Sequence, residues 1–408
     1  MGKDQSEIEE GDEMTEERVQ EVIKVCQEVI SIPSYSGQEG QLVDRLKEIL
    51  SAYGFDEVIV DEYGSIIGKI TGKHKGPKIL LDAHIDTVVV TDETKWQFNP
   101  FGGILHDNKI YGRGTTDMKG ALSAMIIASS YFAKELEHDF AGEIYVAGVV
   151  HEECFEGVAA RSISQRVQPD YVIIGEASEL NIKCGQRGRA EIVVETQGKP
   201  AHSANPHKGI NAVYKMTQLI TQINQLPTNT HPVLGKGILE LTDIISVPYP
   251  GASVVPSQCR VTYDRRLLVG ENKEEVLKPI EKVIAKMSAE DPSFKATVQY
   301  ASGEEKCHTG STIAGERFFP AWLFKEKEEF VEAAFEAAQK IKKDAVITQY
   351  SFCTNGSHYA GEAGIKTIGF GPSREDLAHT VDEYVEVSEL LGACKGYILI
   401  MEALQALV

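Results

Sequence analysis

The stretch 78-KILLDAHIDTVVV-90 reads as a buried β-strand with three polar interruptions, Asp82, His84 and Asp86. A nearly continuous apolar run of this kind fits a strand covered on both faces of a parallel sheet. Residues i and i+2 of a strand face the same way. His84 and Asp86 are therefore predicted side by side near the carboxyl end of the strand, with Ile85 turned to the opposite face. In open α/β sheets ligands bind at that edge. A metal-bound imidazole usually donates its other N–H to an acceptor, often a carboxylate. Read alone, His84-x-Asp86 fits a hydrogen-bonded core histidine as well as it fits a metal ligand.

The sequence around this stretch alternates strands and helices. A helix is predicted from Thr15 on a Val19, Val22, Ile23, Cys26 stripe, and a second, 39-EGQLVDRLKEILSAYG-54, ends at a capping glycine. Short strands follow within 57–70. After the 78–90 strand, a glycine-rich loop leads into a helix within 109–136. Next come a strand at 143–150, a helix near 157–167 and a strand at 170–174. The pattern then changes: strand 189–198, helix 210–226, strand 237–247, strand 258–268, helix 273–289, strand 295–301. That β-α-β-β-α-β order is the ferredoxin-like unit. Helices at 325–342 and 386–406 and a strand at 365–370 complete the chain. The fold class expected is α/β: a mixed, mostly parallel sheet flanked by helices, with an inserted α+β ferredoxin-like unit. The corresponding divisions are 1–186, 187–301 and 302–408, with the first and last forming one catalytic domain.

Composition narrows the function. The chain has 408 residues, 42% hydrophobic and 25% charged, with a net charge of −20. That length exceeds one ordinary core. So acidic a chain argues against nucleic acid or an anionic membrane as partner, since both need basic patches. Seven scattered cysteines with no C-x-x-C pair do not form a disulfide framework. The first dozen residues read as a solvated acidic tail without the features of a signal peptide, and no apolar run reaches a membrane span. A cytoplasmic location is the expectation.

Other strand ends carry the same chemistry as the first. The 143–150 strand runs into 151-HEE-153, the 170–174 strand into 175-GEAS-178, and 112-GRGTTDMKG-120 sets Asp117 before a helix. His379 follows the last strand in 377-LAHTVDEYV-385. Adjacent residues leaving a strand point apart, so Glu152 and Glu153 suit different tasks. Carboxylates buried together repel, and most would have to take up protons unless a cation joins them. Imidazoles and carboxylates without a thiolate suit zinc, with manganese or cobalt as alternatives. The glycine loop lacks the G-x-G-x-x-G spacing of a dinucleotide site.

In this order, LDAHIDTV, GRGTTDMKG, HEE, GEAS and AHTVDE resemble the ArgE/DapE/aminoacylase/carboxypeptidase G family of zinc-dependent hydrolases. The resemblance covers nearly the whole chain beyond residue 15. Within that family, 185-GQRGRAEI-192, 318-FFPAWLFKEKEEFVEAA-334 and 351-SFCTNGSHYAGEAGIKTIGFGP-372 are similar to the YgeY-type subgroup. The resemblance implies two divalent metal ions. His84 and Glu176 would bind the first, Glu153 and His379 the second, and Asp117 would bridge them. Asp86 would orient His84, and Glu152 would be general base and acid. The inserted unit would be a lid through which the chain forms a homodimer. In 198-GKPAHSANPH-207, His202 would stabilise the oxyanion, with His207 as second candidate. Arg266 in 264-DRRLLVGE-271 would hold a substrate carboxylate.

Two segments depart from the family pattern where substrate binds. Ser253 stands for the usual asparagine in 252-ASVVP-256, and 355-NGSH-358 replaces G-T-x-D, making Ser253, Asn355 and Gly356 substrate-binding candidates. His151 replaces the usual aspartate before the two glutamates and is read as a supporting residue. The reaction implied is hydrolysis of a peptide, N-acyl or N-carbamoyl bond in a small amino-acid-derived substrate with a carboxylate. The alternatives are a ureido or carbamoyl-acid amidohydrolase using the same site, and a non-catalytic metal-binding protein on this fold.

Overall fold

The computed structural model describes residues 14–407, so the acidic tail read at the N-terminus lies outside it. Helix α1 (Glu16–Ile30) begins where the Thr15 hydroxyl accepts from the Arg18 N–H at 3.3 Å. Its buried face contains Val22, Ile23 and Cys26. Helix α2 (Gly40–Ala52) closes before Gly54, whose φ of 83° is the left-handed geometry that glycine adopts without a Cβ clash. Strands β1 (Glu57–Val60), β2 (Ile66–Thr71) and β3 (His74–His84) follow, then helix α3 (Lys119–Glu135), β4 (Ala141–Val149), α4 (Val158–Val167), β5 (Tyr171–Ile174) and β6 (Ile182–Gln186).

The second layer system begins directly afterwards. It comprises β7 (Gly188–Gln197), α5 (Ala212–Ile223), β8 (Ile238–Val247), β9 (Gln258–Leu267), α6 (Lys273–Glu290) and β10 (Lys295–Tyr300). Its strands lie in the order β8-β9-β7-β10, all antiparallel, and its helices start at Asn211 and Asn272 side-chain caps. Ile192, Val194, Met216, Leu219 and Tyr263 belong to a hydrophobic cluster separate from the main one. The chain returns through α7 (Glu329–Ile341), β11 (Ile347–Tyr350), β12 (Lys366–Gly369) and α8 (Val387–Gln405).

The main sheet has nine strands in the order β1-β2-β4-β3-β5-β12-β6, followed by the short strand Trp322–Leu323, with β11 also on β6. Its centre, β4-β3-β5-β12, is parallel, and its margins are mixed. Helix α3 is buried along almost its whole length because it packs on the sheet and on α1 and α8. Among the described residues no helix is long and apolar enough to cross a membrane.

The central strand ends earlier than the sequence predicts. It stops at His84, where β4 has its last paired residue, Val149, while β5 already ends opposite Asp82. With both neighbours finished, the ladder has nothing left to pair with. The Ile85 N–H reaches Val149 O at 2.8 Å, and the Thr87 N–H then goes to Ser34 O at 2.9 Å. Asp86 therefore lies in the segment that leaves the sheet, and the two-residue strand repeat does not govern it.

Candidate metal centre

The carboxyl ends of β4, β3 and β5 bring the predicted groups together. His84 is the last residue of β3, Glu152 and Glu153 follow β4, and Glu176 follows β5. Asp117 comes from the loop before α3, and His379 from the loop after β12. His151 and His379 hold left-handed backbone, with φ of 57° and 63°. Such geometry in a non-glycine residue persists where the surroundings over-determine it, commonly at functional sites.

Asp117 is the centre of the cluster. Its Oδ1 lies 2.7 Å from His84 Nε2 and its Oδ2 lies 3.0 Å from His379 Nε2. Glu176 Oε1 lies 3.6 Å from His84 Nε2, and Glu153 Oε1 lies 3.1 Å from His379 Nε2. Two overlapping groups, His84–Asp117–Glu153 and His84–Glu152–Glu176, each have ligand atoms within 4.8 Å of one another.

The electrostatics show how crowded this is. Burial pushes the Glu152 carboxyl well above the ordinary glutamate value; His84 opposes the shift and Glu176 adds to it. Burial also raises Glu176 and Glu153, and Asp117 adds to both. Burial alone would raise Asp117, but hydrogen bonds with His379 and His84 outweigh it and hold that carboxyl low. His379 is raised to about 10, first by its hydrogen bond to Asp117 and then by that to Glu153. Burial would lower His84, yet Asp117 and the other carboxylates outweigh it and raise it well above the ordinary histidine value. A cation among these carboxylates would relieve the same repulsion. Glu152 Oε1 is buried without a partner. The donors present, imidazole and carboxylate, fit a borderline divalent metal.

Asp86 works differently from the sequence expectation. The His84 Nδ1 partner is the Asp86 backbone carbonyl at 2.8 Å, while the nearer Asp86 carboxylate oxygen is 3.7 Å away. The early end of β3 is the reason, because it swings the carboxylate past the ring. That carboxylate instead accepts the backbone N–H groups of Glu152 at 3.0 Å and Glu153 at 3.2 Å, and the Ser36 hydroxyl at 2.7 Å. Asp86 fixes the turn that carries both glutamates.

Other supports had little signal of their own in the sequence. Glu383, fully buried within the AHTVDE motif, accepts N–H groups from Gly114, Thr116 and Asp117 at 2.9–3.1 Å and pairs with Arg113. It ties the loop of His379 to the loop of Asp117. Burial raises its carboxyl to about 7. Lys119 Nζ is buried and donates to Val29 O, Ile32 O and Ser34 Oγ, and burial lowers it to about 7. Asp82, the first acid of the opening stretch, accepts from Asn355 Nδ2 at 3.0 Å and Tyr359 OH at 2.8 Å. It serves packing.

A cleft of about 340 Å³ lies over the cluster, lined by Asp117, Glu152, Glu153, Glu156, Glu176, Ala177, Arg189, Arg266, Phe352, Cys353, Glu375, Ala378 and His379. Arg266, a substrate-binding candidate from the sequence, is among the lining residues. Arg189, its cross-strand neighbour, lines it too and was legible only as part of GQRGRAEI. The structure does not bring Asn355 or Gly356 into the cleft lining. Asn355 spends its amide on Asp82 and on the Gly157 N–H, and a Cβ at Gly356 would sit 2.5 Å from Trp322 Nε1. Phe352 and Cys353 of the same segment line the cleft instead. His202 and Ser253 are exposed on the second layer system and absent from the cleft lining. They neighbour each other: His202 bridges to Val254, and the Ser203 N–H donates to Ser253 O at 3.0 Å. His151 is buried and neither ring nitrogen has a partner.

Comparison with known proteins follows this geometry. Residues 80–403 match the model of peptidase family M20/M25/M40. The chain is 32% identical to the Escherichia coli protein YgeY over 383 residues, covering 92% of this chain and 93% of YgeY. It is 26% identical to a succinyl-diaminopimelate desuccinylase of Cereibacter sphaeroides, over 90% of this chain and 94% of that one. The crystal structure of aminopeptidase PepT from Bacillus cereus shares the fold, with a TM-score of 0.74 at 20% identity, covering 95% of this chain and 98% of PepT.

Proposed function

The chain belongs to peptidase family M20/M25/M40, and from that premise we propose that it hydrolyses the amide bond of a small amino-acid-derived substrate bearing a carboxylate. It is a metal-dependent amidohydrolase; the bond and substrate are the proposal. One observation carries it: the two oxygens of Asp117 are divided between two imidazoles, each with its own further carboxylate. His84 and Glu176 would hold one divalent ion, Glu153 and His379 a second, with Asp117 between them and zinc the metal of choice. When bound, such ions polarise a carbonyl and lower the pKa of a water.

The residues then divide the work. Glu152, buried and with Oε1 unpartnered, takes the proton from the attacking water and returns it to the leaving nitrogen. Burial raises its carboxyl above the ordinary glutamate value, which strengthens it as a proton acceptor. Arg266 spends Nε on Asp264 at 2.7 Å, and its terminal nitrogens make no hydrogen bond among the described residues. That fork suits a substrate carboxylate. The cleft size suits a small molecule.

His202 completes the site from a second copy of the chain in this reading. Its Nδ1 accepts the Ala204 N–H at 3.0 Å, which leaves Nε2 as the protonated donor of the neutral ring. Such a donor stabilises an oxyanion. Strand β8 is an edge of its sheet and exposes Ile238, Ile244, Ile245 and Val247. An apolar exposed edge is a pairing surface, so we assign residues 187–301 as a lid that joins two copies. The test is hydrolysis by zinc-, manganese- or cobalt-loaded protein of acyl amino acids, dipeptides and ureido acids. Release of an amino acid from one of the first two classes supports the reading. Turnover of ureido acids alone transfers it to the ureidohydrolase alternative, and no turnover with any metal sinks it.

A further inference from the structure

The cleft wall beside the metal cluster is a hydrogen-bonded set of arginines and acids, and it leaves two groups open. Each nitrogen of Arg189 is engaged: Nε donates to Asp264 at 2.9 Å, Nη1 to Glu156 at 2.8 Å and Nη2 to Glu191 at 2.6 Å. Both Asp264 oxygens are engaged, one by Arg189 and the other by Arg266. Glu375, also in the cleft lining, accepts from Lys183 at 3.2 Å and Ser351 at 2.7 Å. The open donor is the terminal fork of Arg266. The open acceptor is Glu156 Oε2, which is buried and unpartnered on a residue that lines the cleft and is only 8% exposed.

A buried carboxylate oxygen without a donor is costly, so a ligand that brings a donor is favoured. Arg266 and Arg189 are direct cross-strand partners, and Arg189 holds Glu156. The open donor and the open acceptor belong to residues that line the same cleft. Their complement is a molecule with a carboxylate close to a nitrogen that donates. Among the described residues that line the cleft, Arg266 alone among the arginines has a free fork, which suits one substrate carboxylate.

We infer that Glu156 is a substrate-binding residue and that the enzyme selects substrates carrying a protonated amine beside the carboxylate that Arg266 holds, over neutral or dicarboxylic analogues. This rests on the amide-hydrolase reading above. It separates the chain in specificity from a desuccinylase, whose acyl group is anionic.

Six compounds test it on the metal-loaded full chain. Glycyl-, acetyl- and succinyl-leucine vary the charge of the acyl half. Acetyl-lysine, acetyl-norleucine and acetyl-glutamate vary that of the amino-acid half. In at least one half the amine should exceed its neutral analogue about tenfold in kcat/KM, chiefly through KM, with the dicarboxylate last. Glu156→Gln keeps an oxygen for Arg189 and should bring amine and neutral analogue within about threefold of each other. An amine no better than neutral in both halves, or a preference that survives Glu156→Gln, overturns the inference. Should that variant fold poorly, the wild-type ranking decides. If none of the six is hydrolysed, the hydrolase reading fails separately. Binding of the same compounds to metal-loaded Glu152→Gln protein, by calorimetry, then decides: tighter binding of an amine supports the inference, and equal binding overturns it.

Discussion

The two halves of this molecule meet their site residues in opposite ways. On the main sheet, His84, Glu153, Glu176 and His379 gather around Asp117 through contacts of 2.7–3.6 Å inside a single chain. On the second sheet, His202 and Ser253 stand exposed, next to each other and away from the cleft lining. The metal-ligand candidates gather within one copy, whereas His202, as the proposed oxyanion donor, would need another copy to reach the cleft. Breaking either half should therefore leave different traces.

The largest effect is expected at the metal edge. Glu152→Gln should lower kcat by at least ~10²-fold while zinc content, measured by equilibrium dialysis and elemental analysis, stays that of the wild type. Loss of metal in that variant would move Glu152 into the ligand set. Next in size is the second sheet. His202→Ala should cost about 10²-fold in kcat, and mixing it with Glu152→Gln should restore activity. Random exchange of subunits would give about a quarter of wild-type activity, because half of the dimers would each hold one intact site. Mixtures that stay inactive while exchanging subunits would place His202 within its own chain's site, or outside the reaction.

Smaller effects sharpen the comparison within the metal edge. Glu383→Ala removes the acceptor that joins the Asp117 and His379 loops, and zinc affinity should fall about 10–100-fold, as for other residues that orient ligands. Unchanged affinity would make Glu383 a packing residue only. The smallest effect is on pH. His379 is raised to about 10 by its two carboxylates, so it is protonated at pH 7.5 without metal. Zinc uptake at that pH should release protons, seen as a buffer-dependent calorimetric heat, and affinity should rise with pH. The raised value also stabilises the metal-free fold. That contribution is complete below the ordinary histidine value of 6.5 and is lost as pH rises through about 10. The melting temperature of the metal-free chain should reflect this loss over that window, and the loaded chain should not.

Much of this was legible because it depends on short-range rules. Buried strands announce themselves by apolar runs, and polar residues at their carboxyl ends stand out against them. His84, Glu152, Glu153 and Glu176 were readable for that reason, and the β-α-β-β-α-β order for the same one. Strand length was less legible, because β3 ends where its neighbours end, a property of β4 and β5. That is why the Asp86 backbone carbonyl meets the His84 ring while its carboxylate anchors the Glu152–Glu153 turn. Asn355 and Gly356 sit in the segment whose Phe352 and Cys353 line the cleft, and only the packing around them, Asp82 against Asn355 and Trp322 against the space a Gly356 side chain would need, shows that they are spent on the fold. Arg189, Glu156 and Glu383 act through partners distant in sequence, and a charged residue in isolation does not reveal its partner.

Zinc binding per chain, titrated into metal-free protein, tests the central claim most directly, with wild type and Asp117→Ala compared. Wild type should take up two equivalents, and the variant should lose both or retain one weakly, because Asp117 serves both imidazoles. One equivalent in wild type, or two of undiminished affinity in the variant, would contradict a centre built around Asp117.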